Sequence, residues 1–210
     1  EMRKLQDAWI DLKNKITIGG GAQVVLKSFQ QKIDAEIEKL RWSHAVGTTM
    51  KGIGPSYAGE ALRIGFTIKE LLTMSDRLIQ GRIRVIAGLF PWLSVQDMLM
   101  EILQEKRNLE DWIHMSIISI DFDDMDIYTA HADGKSILVE QSQSFLLGKE
   151  AGAYPNCTSS DTSINGMLSY MNLPYSVAPV VIGTAKAIMS KVWAGYFPTK
   201  MWHEDKYIEF

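Results

Sequence analysis

One cysteine in 210 residues, Cys157, cannot form an internal disulfide, which suits a reducing compartment and excludes a cysteine-rich zinc site. An excess of one charge is also missing. The formal net charge is −3 and the basic residues are scattered, so the electrostatic footprint of a nucleic-acid or anionic-membrane binder is absent. Long apolar runs are lacking too: those from Val85 to Leu93 and from Met115 to Ile120 fall well short of the roughly 20 residues that span a bilayer. The opening residues do not read as a signal peptide, and the expected compartment is the cytoplasm. The four histidines, His44, His114, His131 and His203, stand at no metal-ligand spacing and receive no role. No Walker loop or dinucleotide fingerprint occurs, and Gly148-Lys149 is not followed by Ser or Thr. What is present is a 46% hydrophobic chain, long enough for one domain or a large piece of one. It opens on Glu1, with Met2 already inside an amphipathic pattern, and is expected to begin mid-protein.

Met2, Leu5, Ala8, Trp9 and Leu12 recur at helical spacing, and Gly19-Gly20-Gly21 then breaks the chain before Val24-Val25, a short strand. From Ser28 to Trp42, Phe29, Ile33, Ile37 and Leu40 among charges predict a surface helix with one buried face. Between Glu60 and Ile117 the pattern is mostly helical, broken at Pro91 and restarted by an N-cap at Ser94. Ser136-Ile137-Leu138-Val139 and Val180-Val181-Ile182-Gly183 read as buried strands. Strands among helices predict an α/β fold, part of a mainly parallel sheet surrounded by helices, with a helical subdomain over 60–117. No repeat, linker or low-complexity tract divides the chain.

Three segments have the composition of ligand loops. Gly47-Thr48-Thr49-Met50-Lys51-Gly52-Ile53-Gly54-Pro55 offers backbone N–H groups, hydroxyls and an ammonium to an anion, although an ordinary helix-to-helix loop has the same composition. Glu140-Gln141-Ser142-Gln143-Ser144-Phe145-Leu146-Leu147 follows an expected strand, where α/β sheets present ligand contacts, and the Gln143 amide can both donate to and accept from a base edge. Gly152-Ala153-Tyr154-Pro155-Asn156-Cys157-Thr158-Ser159-Ser160-Asp161-Thr162 gathers hydroxyls that suit a helix cap or a phosphate equally. The acidic run from Asp121 to Asp126 lacks the EF-hand glycine and closing glutamate and reads as a solvated helix start, so no metal ligands are assigned. The six tryptophans and eleven methionines read as core or interface.

The loop from Gly47 to Tyr57 resembles the adenylosuccinate synthetase segment Gly-Thr-Thr-Gly-Arg-Gly-Ile-Gly-Pro-Ala-Tyr. The Glu140 and Gly152 segments are similar to that family's Glu-Gly-Ala-Gln-Gly-Thr-Leu-Leu and Gly-Thr-Tyr-Pro-Tyr-Val-Thr-Ser-Ser-Asn-Thr. Lys191-Val192-Trp193-Ala194-Gly195-Tyr196-Phe197-Pro198-Thr199 is similar to Arg-Val-Gly-Ala-Gly-Pro-Phe-Pro-Thr. Four motifs in the family's order make residues 1–210 resemble the central part of a single such domain. The resemblance implies a ligase that joins aspartate to carbon 6 of inosine monophosphate (IMP), using GTP and magnesium, in a homodimer that binds neither nucleic acid nor membrane. It implies that Thr49 and Thr158 hold the 5′-phosphate, that Gln143 binds the base near its 6-oxygen and is catalytic, and that Val192 lies against the ribose. It implies that Arg63 reaches the nucleotide of the partner subunit.

Departures accompany the matches. Gln141, Ser142 and Ser144 stand where the family has Gly, Ala and Gly; Met50 and Trp193 replace glycines; Ala151 stands where many members have histidine. The family's Gly-Asp-Glu-Gly-Lys-Gly loop, its arginine-rich aspartate loop and its guanine-reading Thr-Lys-x-Asp segment have no counterpart, so this stretch alone is expected to bind weakly and catalyse nothing. Two further readings stand beside the first: a phage-type relative making a 2-amino deoxynucleotide analogue, and a non-catalytic nucleotide-binding or dimerisation module. The structural expectation is that Ile137 to Val139 and Val181 to Ile182 share a sheet, with Gln143 and Thr158 converging on one cleft.

Overall fold

The structure is a computed structural model that describes residues 4, 7, 8, 10–188 and 190, and the backbone of 201–203 and 206–208. Val192, its motif from Lys191 to Thr199, and most of the helix expected from Met2 lie outside the described residues.

The parallel element is a pair of strands, β1 (Ile16–Gly19) and β4 (Ile118–Asp121), with Ile16 opposite Ile118 and Ile18 opposite Ile120. Between them lie a short antiparallel pair, β2 (Gln23–Val24) and β3 (Phe66–Thr67), and most of the helices. A π-helical turn over Lys27–Gln31 runs directly into α1 (Lys32–Leu40). Then come α2 (Ile53–Ala61), α3 (Ile68–Thr73), α4 (Asp76–Leu89) and α5 (Val95–His114), and after β4 the short α6 (Asp126–Ala132) and α7 (Ile164–Tyr170). A last antiparallel pair joins β5 (Met201–His203) to β6 (Lys206–Ile208).

Local chemistry explains the helix ends. The Ser94 hydroxyl accepts from Asp97 N at 3.1 Å, the cap expected after Pro91, and Thr67 and Glu70 form a capping box at the start of α3. Along α4 and α5, Ile79, Ile83, Ile86, Met98 and Ile102 fall at helical spacing and are fully buried. They share one core with Val24, Leu26, Phe29, Ile33, Phe66 and Leu71, so the helical layer and the segment around residues 24–33 are packed as a unit. A smaller cluster of Leu12, Ile117 and Ile118 packs under the parallel pair.

Three expectations are corrected. Neither Ile137 to Val139 nor Val180 to Ile182 is a strand; Leu138 is 93% exposed and Val180 91%, because neither run finds a ladder partner among the described residues. The strands of the parallel pair are instead Ile16–Gly19, which ends in the glycine run expected only to break the chain, and Ile118–Asp121, just beyond the expected end of the helical stretch. Along the helix from Ser28, Phe29 and Ile33 are buried, but Ile37 and Leu40 are exposed and the acidic Asp34 and Glu38 are buried in their place.

Candidate functional site

The loop over residues 47–52 is shaped from behind by α1. Asp34 and Glu38 lie one helical turn apart and so share a face. Asp34 accepts from the Thr48 hydroxyl at 3.3 Å and from Gly52 N at 2.9 Å. Glu38 accepts from Gly47 N and from Thr48 N. Gln30, one turn before Asp34 and fully buried, accepts from Leu26 N and donates to the Val24 carbonyl, which closes the turn on which α1 stands. Gly52 (φ +78°) packs so closely on this turn that a Cβ would sit 2.9 Å from backbone atoms of Gln30 and Gln31.

This arrangement separates the two threonines. The Thr48 hydroxyl is turned inward, bonded to Asp34 and accepting from Met50 N, whereas Thr49 is exposed and makes no hydrogen bond among the described residues. Met50, where the resembling family has glycine, is held at φ +51°.

The loop leads into α2, whose first turn meets the hydroxyl-rich segment: a Cβ on Gly54 would lie 3.2 Å from Ser159 Oγ. One turn on, the Tyr57 hydroxyl donates to that of Tyr170 at 3.3 Å, and Tyr170 in turn accepts from Asp161 N. Partial burial and the bond to Tyr170 push the Tyr57 phenol well above its ordinary pKa. On its other side the hydroxyl-rich segment is tied to the glutamine loop. Gln141 Nε2 donates to the Asp161 carbonyl at 3.3 Å, the Thr162 hydroxyl to the Phe145 carbonyl at 3.1 Å, and Thr158 N to the Leu147 carbonyl at 2.7 Å. Residues 158–162 therefore lie between the loop that carries Gln143 and α2, the helix that follows the loop carrying Thr49.

The expected site residues differ in what they present. Gln143 is exposed, at φ +89°. Thr158 is buried, its hydroxyl 3.2 Å from that of Ser160, while Ser159 and Ser160 are half-buried. Arg63 is exposed at the C-terminal end of α2, at φ +60°. The turn that carries it is fixed from α4: Arg82 donates to the Gly65 carbonyl at 2.7 Å, forms a two-pronged ion pair with Glu70, and lies 5.1 Å from the centroid of the Phe66 ring. Hydrogen bonding to Arg82 holds the Glu70 carboxyl below its ordinary pKa. Asp161 is likewise held low by its hydrogen bonds from Ser163.

Asp34, Glu38 and Tyr170 carry no signal in the motifs of the sequence, and Gln141 enters there only as a departure from the family. Gln30, Asp34 and Glu38 at four-residue intervals are a polar stripe on one helix face, the one pattern that could have revealed the first two.

No group of three or more His, Cys, Asp or Glu side chains able to hold a metal occurs among the described residues. The acidic turn after β4 is occupied internally: Asp124 accepts from Gly21 N and Asp121 from Asp126 N. No helix among the described residues is long and apolar enough to cross a membrane.

A family model described as adenylosuccinate synthetase matches residues 1–208. Adenylosuccinate synthetase of Drosophila grimshawi is 34% identical over 198 residues, which cover 93% of this chain and 42% of that protein. The Coprinopsis cinerea protein of the same name is 32% identical over 202 residues, covering 95% and 46%. A structure of fully ligated adenylosuccinate synthetase from Plasmodium falciparum superimposes with a TM-score of 0.78 over 95% of this chain and 47% of that one; at 24% identity it speaks for the fold. The chain spans less than half the length of each of these three relatives.

Proposed function

The chain belongs to the adenylosuccinate synthetase family, and from that premise we propose that the complete protein ligates aspartate to carbon 6 of IMP with GTP, this chain supplying part of the monophosphate site. In that reaction the 6-oxygen takes the γ-phosphoryl group of GTP, and the amine of aspartate then displaces phosphate to give adenylosuccinate.

The observation that carries the reading is that residues 158–162 are hydrogen-bonded to the loop that carries Gln143 and, through Tyr170, to Tyr57 on the helix that follows the loop carrying Thr49. In the proposal the Thr49 hydroxyl donates to the 5′-phosphate, and the segment around Thr158 contributes hydroxyls and backbone N–H groups to it. Burial of the Thr158 hydroxyl favours Ser159 and Ser160 as the side chains within reach. Gln143 donates its amide to the 6-oxygen as negative charge develops there, a contact that strengthens towards the transition state. Val192 lies against the ribose, and Arg63 extends its planar donors to the nucleotide of a partner subunit in a homodimer. Main contacts to GTP and magnesium, and those to aspartate, come from outside this chain, and the compartment is the cytoplasm.

The test is a coupled assay of the full-length protein for adenylosuccinate from IMP, aspartate and GTP. Formation of product that requires all three substrates is expected. Product from a 2-amino purine deoxynucleotide and none from IMP would replace this reading with the phage-type one, and nucleotide binding without turnover would leave a non-catalytic module.

A further inference from the structure

We propose that Asp34 and Glu38 are positioning residues for phosphate recognition, holding the 47–52 loop so that its inner donors are spent within the protein and Thr49 and Lys51 are left to meet the anion. This rests on the functional reading above. Both carboxylates are buried, at 9% and 7% exposure. Burying two acidic groups four residues apart is costly unless each is met by donors, and apolar side chains of similar volume would fill the same space at less cost. Compensation comes almost entirely from the loop: Gly47 N, Thr48 N, Gly52 N and the Thr48 hydroxyl all donate to the pair. The second oxygen of Glu38 makes no hydrogen bond among the described residues and faces Arg41 Nη1 at 3.7 Å. Met50 N is taken up by the Thr48 hydroxyl.

An arriving phosphate therefore finds the inner edge of the loop already bonded and the outer edge open. Thr49 and Lys51 are exposed there. Without the carboxylates, the freed N–H groups would turn to water and the loop would sample other conformations, so the phosphate would have to pay the ordering entropy on binding.

The experiment compares the affinity of the full-length protein for IMP with its affinity for inosine, which lacks the phosphate, by titration calorimetry, with Tm followed in parallel. Asp34→Ala and Glu38→Ala are expected to cut the preference for the monophosphate about tenfold, the effect of leaving one or two polar groups unpaired, while inosine affinity stays unchanged. Glu38→Gln keeps an acceptor oxygen for the two backbone N–H groups and is expected to restore most of the preference. Should the alanine variants fail to fold, Thr48→Val, which keeps side-chain size but removes the hydroxyl that bonds Asp34, is expected to show the same selective loss. Equal loss of IMP and inosine affinity, or an unchanged preference, would overturn the positioning role alone. A wild-type protein that does not prefer IMP over inosine would overturn the functional reading and this inference with it.

Discussion

Arg82 on α4 grips both oxygens of Glu70 on α3, at 2.8 and 2.7 Å, while the same guanidinium donates to the Gly65 carbonyl at 2.7 Å. Three charge-assisted bonds from one side chain thus fix the turn between α2 and α3, where Arg63 sits. Arg82→Ala is expected to cost about 1–2 kcal/mol in urea unfolding at neutral pH, after allowing for the partial exposure of the pair. The contribution depends on pH. Because the folded-state pKa of Glu70 is lowered from 4.5, the stabilisation is fully present above that value and is lost as pH falls through the lower folded pKa. The gap between wild type and Glu70→Gln should therefore narrow in acid; a gap that widens would refute the assignment.

Glycines in this chain divide by surroundings. Gly52, at positive φ and against the backbone of Gln30 and Gln31, leaves no room for a side chain, and Gly52→Ala is expected to destabilise by at least about 2 kcal/mol. Gly81 and Gly88 are exposed on α4, with nothing within 4 Å of an added Cβ. Gly88→Ala is expected to stabilise by about 0.5–1 kcal/mol, since alanine only restricts the unfolded chain there. Denaturant midpoints of the two variants, moving in opposite directions, would check both.

Thr49 and Gln143 are expected to separate kinetically in the complete enzyme. In the proposed site Thr49→Ala would remove a contact to a phosphate that is the same in ground and transition states, so KM for IMP should rise with kcat little changed. In the same proposal Gln143→Ala would remove a donor to the oxygen that gains charge, and kcat should fall by about a hundredfold or more. Equal losses in kcat for the two variants would remove Gln143 from the reaction centre.

Arg63→Ala should raise KM for IMP while leaving Tm nearly unchanged, because the side chain is exposed and the turn beneath it is held by Arg82. Mixing it with Gln143→Ala, and assaying at IMP concentrations below the raised KM, supplies a sharper reading. If Arg63 serves the neighbouring subunit, mixed dimers regain part of the activity; no recovery on mixing would return Arg63 to its own subunit.

Features that depend only on neighbours along the chain were legible in the residues. Periodicity placed α4 and α5 and their buried isoleucines, Ser94 marked the cap after Pro91, and four short motifs were enough to point to the family. Such signals are local, since helix faces and caps are set within four residues. Tertiary structure decided the rest. Whether an apolar run becomes a strand depends on a partner edge elsewhere: Ile16–Gly19 found one about a hundred residues away, whereas Val180 to Ile182, more apolar by sequence, found none among the described residues and lies exposed. Whether an acidic residue on an amphipathic helix faces solvent is likewise settled by what packs against it. Asp34 and Glu38 are buried because the 47–52 loop brings donors to them; the helical period sets the two on one face, but nothing along the helix could have shown that those donors would arrive.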